Sequence, residues 1–356
     1  MLKSCYIHIP FCKKICSYCD FCKFYYNEEW VKKYLISLKN EIKLKYKNEV
    51  LDTLYIGGGT PSSLDIDSFK ELLNITKLFN LSKEYEFTIE FNPEDISIEK
   101  LELCKEYKVN RISIGIESFN KNNLKYLGRD YIDFKEKINL VKKYFSNINV
   151  DLIYGLNIED LDILNKDIDN LLLLDVPHIS CYSLIIEKNT ILNNNGVKEI
   201  DEDLDYDMYK LINNRLSSYN HYEISNYSKD GFESKHNLTY WNNENYYGFG
   251  VGAASYINNR RILNSKDILS YLNKEYKYSE EVLTKDEIIS YELILGFRKT
   301  KGININDFYN KYKVDITSLY NINDLIKEGK LVINDGYIFI NDDYLYIENE
   351  ILSNFV

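Results

Sequence analysis

A chain of 356 residues with 45% hydrophobic content can bury a large core, and its length suggests two or three domains, since single cores stop growing near ~250 to 300 residues. A net charge of −11 argues against a surface that neutralises phosphates, so no nucleic-acid partner is expected. The N-terminus has no long apolar stretch and no run of about 18 apolar residues occurs, so no transmembrane segment is expected and the protein is read as cytoplasmic, where thiols stay reduced.

From residue 5 to about residue 225, short apolar runs alternate with helical patterns. The predicted strands are CYIHI (5–9), TLYIGGG (53–59), FTIEFNP (87–93), RISIGIES (111–118), NVDLIYG (149–155) and HISCYSLII (178–186). Between them EEWVKKYLISLKNEIKLKY, DSFKELLNITKLF, IEKLELCKEY, DFKEKINLVKKYF and LNKDIDNLLLLD carry helical spacing. Parallel strands need crossover helices and lie buried on both faces, so the alternation predicts an α/β fold in which six repeats form an open or partial (βα)6 barrel. Chemistry on such a scaffold sits in the loops after the strands.

After residue 225 the alternation stops, and SKHNLTYWNNENYYGFGVGAASY is rich in Gly and aromatics. From about residue 266 helical patterns return, followed by a hairpin turning at Asn334-Asp335-Gly336. Helices followed by a hairpin suggest a small α+β, winged-helix-like module, with a packing or lid role. The expected division is 1–225, barrel; 226–265, a segment packing on the barrel; and 266–356, the C-terminal module.

Four of the seven cysteines, Cys12, Cys16, Cys19 and Cys22, crowd the loop after the first strand. In a reducing compartment such a group points to a metal rather than to disulfides. Structural zinc usually takes two pairs separated by a dozen or more residues. A ferredoxin-type cluster takes four cysteines, with Cys22 as the fourth. A third reading uses only Cys12, Cys16 and Cys19, spaced C-x3-C-x2-C with Tyr18 before the last.

On that spacing the sequence resembles the radical S-adenosylmethionine superfamily. The resemblance implies that Cys12, Cys16 and Cys19 hold three irons of a [4Fe-4S] cluster, leaving the fourth iron for S-adenosyl-L-methionine. It implies further that Gly58, Gly59 and Thr60, in YIGGGTPS, bind the methionyl end of this cofactor. Tyr6, Tyr18, Glu90, Glu117, Arg129 and Asp151 are carried over as other cofactor contacts, Arg129 suiting a carboxylate through its forked geometry. Each of these polar residues alone is more often a salt bridge or a cap.

YIHIPFCKKICSYCDF, YIGGGTPSSL, RISIGIESF and DLIYGL resemble the branch that holds the oxygen-independent coproporphyrinogen III oxidases and the heme chaperones, densely from residue 5 to about residue 256. The chaperones carry a His-Asn-x-x-Tyr-Trp motif associated with heme, here His236, Asn237, Tyr240 and Trp241. Read from the residues, it offers an axial nitrogen and flat apolar faces, although a lone His is more often structural. The oxidases carry an extension before the first strand and end their loop in C-x-C. Here the strand opens near residue 5 and the loop ends Cys19-Asp20-Phe21-Cys22, which favours the chaperone and leaves oxidative decarboxylation as the alternative.

The resemblance then implies heme as cargo and heme-acceptor proteins as partners, with respiratory acceptors and peripheral membrane association both compatible. Two departures stand out. Glu117 occupies a position where the family commonly has Gln, so its partner or its protonation differs, and Cys22 is read as a buried or supporting thiol. GFGVG lacks the flanks of a dinucleotide fingerprint and is expected to pack backbone against cofactor or cluster.

Overall fold

The computed structural model describes residues 2–319 and 321–356. Six strands, β1 (Ser4–Ile9), β2 (Val50–Gly58), β3 (Asn80–Phe91), β4 (Arg111–Glu117), β5 (Asn147–Tyr154) and β6 (His178–Ser183), pair in that order. Every pairing among them is parallel. The chain returns through α1 (Glu28–Lys45), α2 (Ile66–Ile75), α3 (Ile98–Glu106), α4 (Phe134–Lys142) and α5 (Leu161–Leu173), and leaves β6 through α6 (Glu202–Arg215).

Each helix starts where the sequence supplies an acceptor for its free N–H groups. Asn27, Asp65, Ser97, Asp133, Asp160 and Asp201 all cap with their side chains. The helices then bury one stripe against the sheet, as α2 does with Phe69, Leu72 and Leu73, each worth about 1.5 to 3 kcal/mol on full burial. Alternate sheet residues face the barrel interior, and these carry the polar groups.

The sheet continues past both ends of the barrel. β7 (Asn220–Glu223) and β8 (Asn226–Ser228) add an antiparallel pair beside β6. Beyond α7 (Lys235–Trp241), β9 (Tyr246–Phe249) pairs parallel with β1, and β10 (Ala254–Ile257), β11 (Arg260–Asn264) and β12 (Tyr278–Val282) follow antiparallel. Twelve strands therefore form one sheet. The aromatic segment joins the sheet at β1, and β12 is a strand where helix was expected.

Glu41 of α1 ties this extension down. Fully buried, it accepts from Gly250 N (2.9 Å), Tyr271 Oη (2.7 Å) and Asn264 Nδ2 (3.0 Å) and pairs with Lys45 (2.7 Å). A carboxylate out of water is tolerated when its oxygens are satisfied in this way.

The C-terminal module has its own apolar core, including Phe297, Phe308, Ile316 and Ile338. Helices α8 (Lys285–Gly296), α9 (Ile305–Tyr312) and α10 (Ile322–Lys327) accompany strands β13 (Ile303–Asn304), β14 (Leu331–Asn334) and β15 (Tyr337–Ile340). The three strands lie in the order β13-β15-β14, and the hairpin turns through Asp335 and Gly336, both at positive φ. Among the described residues no helix is long and apolar enough to cross a membrane.

Candidate functional site

The loop after β1 runs over the mouth of the barrel and is held by backbone bonds rather than by its thiols. Tyr26 N donates to Cys12 O (2.9 Å), Phe24 N to Pro10 O (2.6 Å) and Ser17 N to Leu127 O (3.0 Å). Cys12 is buried, Cys16 and Cys19 are half-buried, and all three are free. The glycine turn after β2 presses on this loop. A Cβ on Gly59 would stand 2.8 Å from the Pro10 carbonyl carbon and 3.0 Å from Cys12 Sγ. Gly58 has φ +120°, and a Cβ there would meet His8 Nδ1 at 2.5 Å, so both positions require glycine. Thr60 Oγ1 donates to Cys12 Sγ at 3.6 Å.

Beneath the loop lies a cavity of about 510 Å³. Cys12, Cys16 and Cys19 face it from above, and Gly58, Gly59 and Thr60 from one side. Burial pushes the Cys12 thiol up to about 11, and it raises Cys16 and Cys19 as well. Among the described residues no three His, Cys, Asp or Glu side chains gather tightly enough for a single ion. Three soft donors over a roomy cavity fit a group larger than one metal ion, as a cluster carrying a further ligand would be.

The remaining walls are polar ends of strands. Glu90 of β3 accepts from Tyr55 Oη (2.8 Å) and Gly58 N (3.0 Å), and burial pushes its carboxyl up to about 7. Glu117 closes β4 at φ 70° and pairs with Arg129 at 2.8 Å. Burial pushes Glu117 up to about 7 against the pull of that guanidinium. Arg129 also donates to Gly115 O (2.6 Å) and Asn92 Oδ1 (2.8 Å), so its fork is engaged on three acceptors. Here Glu117 finds its partner: its carboxyl faces the Arg129 guanidinium. Asp151 of β5 accepts from Asn149 Nδ2 (2.7 Å), and burial raises its carboxyl.

Sequence reasoning missed several groups in this cavity. Tyr55 and Asn92 orient Glu90 and Arg129, and Asn149 joins Ser113, Asp151 and His178. Arg111 is only 2% exposed, yet its guanidinium has no hydrogen-bond or ion-pair partner among the described residues, and its Nε is buried and unsatisfied. The polar residues of EFNP and RISIGIES carried the signal, because alternate residues of a barrel strand face inward.

Tyr18, Glu90, Glu117, Arg129 and Asp151 all line this cavity, and Asn237 reaches it from α7. Tyr6 does not line it. Its hydroxyl bonds His8 Nδ1 (2.9 Å), and its ring faces a second cavity, also of about 510 Å³. Tyr240 and Trp241 line that second cavity, whereas His236 lines neither. His236 is 2% exposed, with Nδ1 bonded to Thr53 Oγ1 (2.7 Å) and Nε2 to Tyr240 Oη (2.8 Å), and its ring stacks on Tyr55. Neither nitrogen can meet iron without breaking one of these bonds, and burial pushes its pKa down to about 3.

Asp20 and Phe21, the tail of the cysteine loop, line both cavities. The GFGVG turn packs against β1, α1 and Cys22. A Cβ on Gly250 would collide with Tyr34 and His8, and one on Gly252 would stand 2.8 Å from Cys22 Cβ.

Comparison with known proteins agrees with this architecture. Residues 6–168 match the Radical SAM superfamily and residues 283–343 the HemN C-terminal domain. The chain is 40% identical over 346 residues to the heme chaperone HemW of Lactococcus lactis subsp. lactis (strain IL1403), covering 93% of this chain and 91% of that protein. It is 38% identical over 352 residues to the heme chaperone HemW of Bacillus subtilis (strain 168), covering 92% of each. The coproporphyrinogen III oxidase HemN of Escherichia coli shares the fold at a TM-score of 0.86 and 19% identity, over 99% of this chain and 90% of that one. The chain belongs to the HemW family, with a radical S-adenosylmethionine domain followed by a HemN C-terminal domain.

Proposed function

We propose that the protein is a cytoplasmic heme chaperone that binds heme beside a [4Fe-4S] cluster and S-adenosylmethionine and delivers the heme to acceptor proteins. One observation carries the reading: the tail of the cysteine loop is the shared wall of a polar cavity under three thiols and an aromatic cavity next to it. Asp20 and Phe21 would therefore touch what either cavity holds.

Cys12, Cys16 and Cys19 would ligate the cluster, and Gly58, Gly59 and Thr60 would meet the methionyl end of the cofactor. When bound, the pair supplies a low-potential cluster in contact with a sulfonium. The chain's own residues shape the surroundings. The Glu90 carboxyl, held by Tyr55 and Gly58, stands ready for hydroxyl donors, and Asp151 does the same two strands away. The Arg129–Glu117 pair keeps a guanidinium in the cavity wall with its charge balanced. No residue is assigned a catalytic role.

A second reading, oxidative decarboxylation of coproporphyrinogen III, is favoured by the same aromatic cavity, because a flat apolar site suits a porphyrinogen as well as heme. Anaerobic, cluster-reconstituted protein assayed for heme binding and for coproporphyrinogen turnover separates the two. Stoichiometric heme binding with no turnover is expected. Multiple turnovers without tight heme binding would promote the oxidase.

A further inference from the structure

We infer that heme sits in the aromatic cavity with Cys22 as its axial ligand and Arg261 and Lys266 as partners for its propionates. This assignment rests on the proposed heme-carrying function and adds where the heme goes and which atoms hold it. The cavity, at about 510 Å³, falls in the usual range of ~300 to 1,000 Å³ for sites that take a flat cofactor. Tyr240, Trp241, Tyr246 and Tyr256 give it apolar faces, with Phe21 at the boundary to the cluster side.

Three features point to heme rather than to an apolar ligand. First, Cys22 stands in the wall with a free thiol whose sulfur makes no hydrogen bond among the described residues. Its position is built in. His8, buried in β1, accepts from the Tyr6 hydroxyl at Nδ1 and so donates from Nε2 to Cys22 O at 2.7 Å, while Gly252 leaves just enough room for the Cys22 side chain. Both His8 nitrogens are thereby used, as are those of His236, which leaves Cys22 as the unengaged soft donor in this cavity.

Second, two cations face the cavity without an ion-pair partner among the described residues. Arg261 stacks its guanidinium on Tyr291 (3.7 Å) and Tyr256 (5.1 Å), and its Nε is buried and unsatisfied. Glu281, directly across on β12, forms no ion pair with it. Lys266 stands beside Gly252 and Cys22. Asp20 and Glu244 also line the cavity, and neither pairs with these cations. Third, the indole of Trp241 lines the cavity, with the Arg298 guanidinium 5.0 Å from its ring centre.

On binding, the Cys22 thiol forms an S–Fe bond and releases its proton to solvent, with no change in the oxidation state of the iron. Such a soft thiolate suits ferric heme. The two propionates turn toward Arg261 and Lys266, where charge-assisted bonds hold them.

The test is anaerobic hemin titration of the full chain with its cluster reconstituted, in wild type, Cys22→Ala, Cys22→His and Arg261→Ala, each checked for unchanged iron–sulfur content. Wild type should show the red-shifted ferrous carbon monoxide band of thiolate-ligated heme. Cys22→Ala should lose that band and bind about tenfold more weakly, and Cys22→His should regain affinity with an imidazole-type spectrum. Arg261→Ala should weaken hemin about tenfold and leave hemin dimethyl ester, which has no free propionate, unaffected. Heme binding by wild type with a spectrum and affinity indifferent to Cys22→Ala overturns this assignment alone. Absence of heme binding by wild type overturns the chaperone reading and this site together.

Discussion

At the scale of single residues, the cysteine loop separates two kinds of thiol. Cys12, Cys16 and Cys19 face the polar cavity, and Cys22 faces the other side of the loop's tail. Replacing any of the first three by Ala is therefore expected to abolish cluster absorption and reduce bound iron to background, whereas Cys22→Ala should retain both. Iron analysis after reconstitution checks this, and equal loss in all four variants would refute the three-cysteine ligand set.

His236 behaves differently from its appearance in the motif. With both nitrogens bonded in the interior, its removal orphans the Thr53 and Tyr240 hydroxyls. His236→Ala is expected to cost about 2 to 4 kcal/mol of stability, measured by denaturant unfolding of the apoprotein, whatever it does to heme. The pH dependence has a definite sign. The folded pKa is lowered to about 3 from the ordinary 6.5, so the unfolded chain takes up a proton first as the solution is acidified. The stabilisation from a neutral His236 is complete above about pH 6.5 and is lost as pH falls toward 3, and His178, also lowered by burial, acts in the same direction. The difference in urea midpoint between about pH 7.5 and about pH 5 should accordingly be smaller in His236→Gln than in wild type.

At the scale of elements, the C-terminal ends of β2, β3, β4 and β5 bring the polar cavity together, and β4 does so through an irregularity. Its register shifts between Gly115 and Glu117, and Glu117 takes a left-handed conformation that turns its carboxylate toward Arg129. Gly115 makes room for this pair: a Cβ there would stand 2.5 Å from Glu117 Oε1 and 2.7 Å from Arg129 Nη2. Gly115→Ala should displace the ion pair, cost about 1 to 3 kcal/mol, and weaken S-adenosylmethionine binding by the reconstituted protein. Calorimetric titration beside a denaturation curve measures both, and an unchanged affinity would remove the Arg129–Glu117 pair from the cofactor site.

At the scale of the whole molecule, the C-terminal module grips the far edge of the barrel and the helix that carries His236 and Trp241 at once. Ile224 N donates to Arg298 O (3.2 Å), Tyr346 Oη to Asp205 Oδ2 (3.0 Å), and the Arg298 guanidinium lies 5.0 Å from the Trp241 ring centre. Arg298 also pairs with the buried Glu348 at 3.2 Å. Arg298→Ala would leave that carboxylate alone in the interior and take a cation from the Trp241 ring, at an expected cost of about 2 to 4 kcal/mol. Hydrogen exchange should show faster opening across residues 283–343 and in α7 together. Faster exchange confined to the module would show that the two are not coupled.

Much of this was legible in the chain itself, because the information is local. Six apolar runs and the helical patterns between them specify a parallel sheet through their periodicity alone, and the side-chain caps mark where each helix begins. The C-x3-C-x2-C spacing and the Asn334-Asp335-Gly336 turn are local in the same sense. Tertiary structure decided what depends on residues far apart in sequence. Strands of four or five residues such as β9 to β12 carry too few alternations to announce a partner, so their pairing with β1 and with one another emerged only once Glu41, Gly250 and Tyr271 met. The division of the aromatic motif between an interior histidine and a cavity-facing tryptophan is of the same origin. One turn of helix sets their directions, but only Thr53, Tyr55 and Arg298, brought in by β2 and the C-terminal module, determine which of them is enclosed.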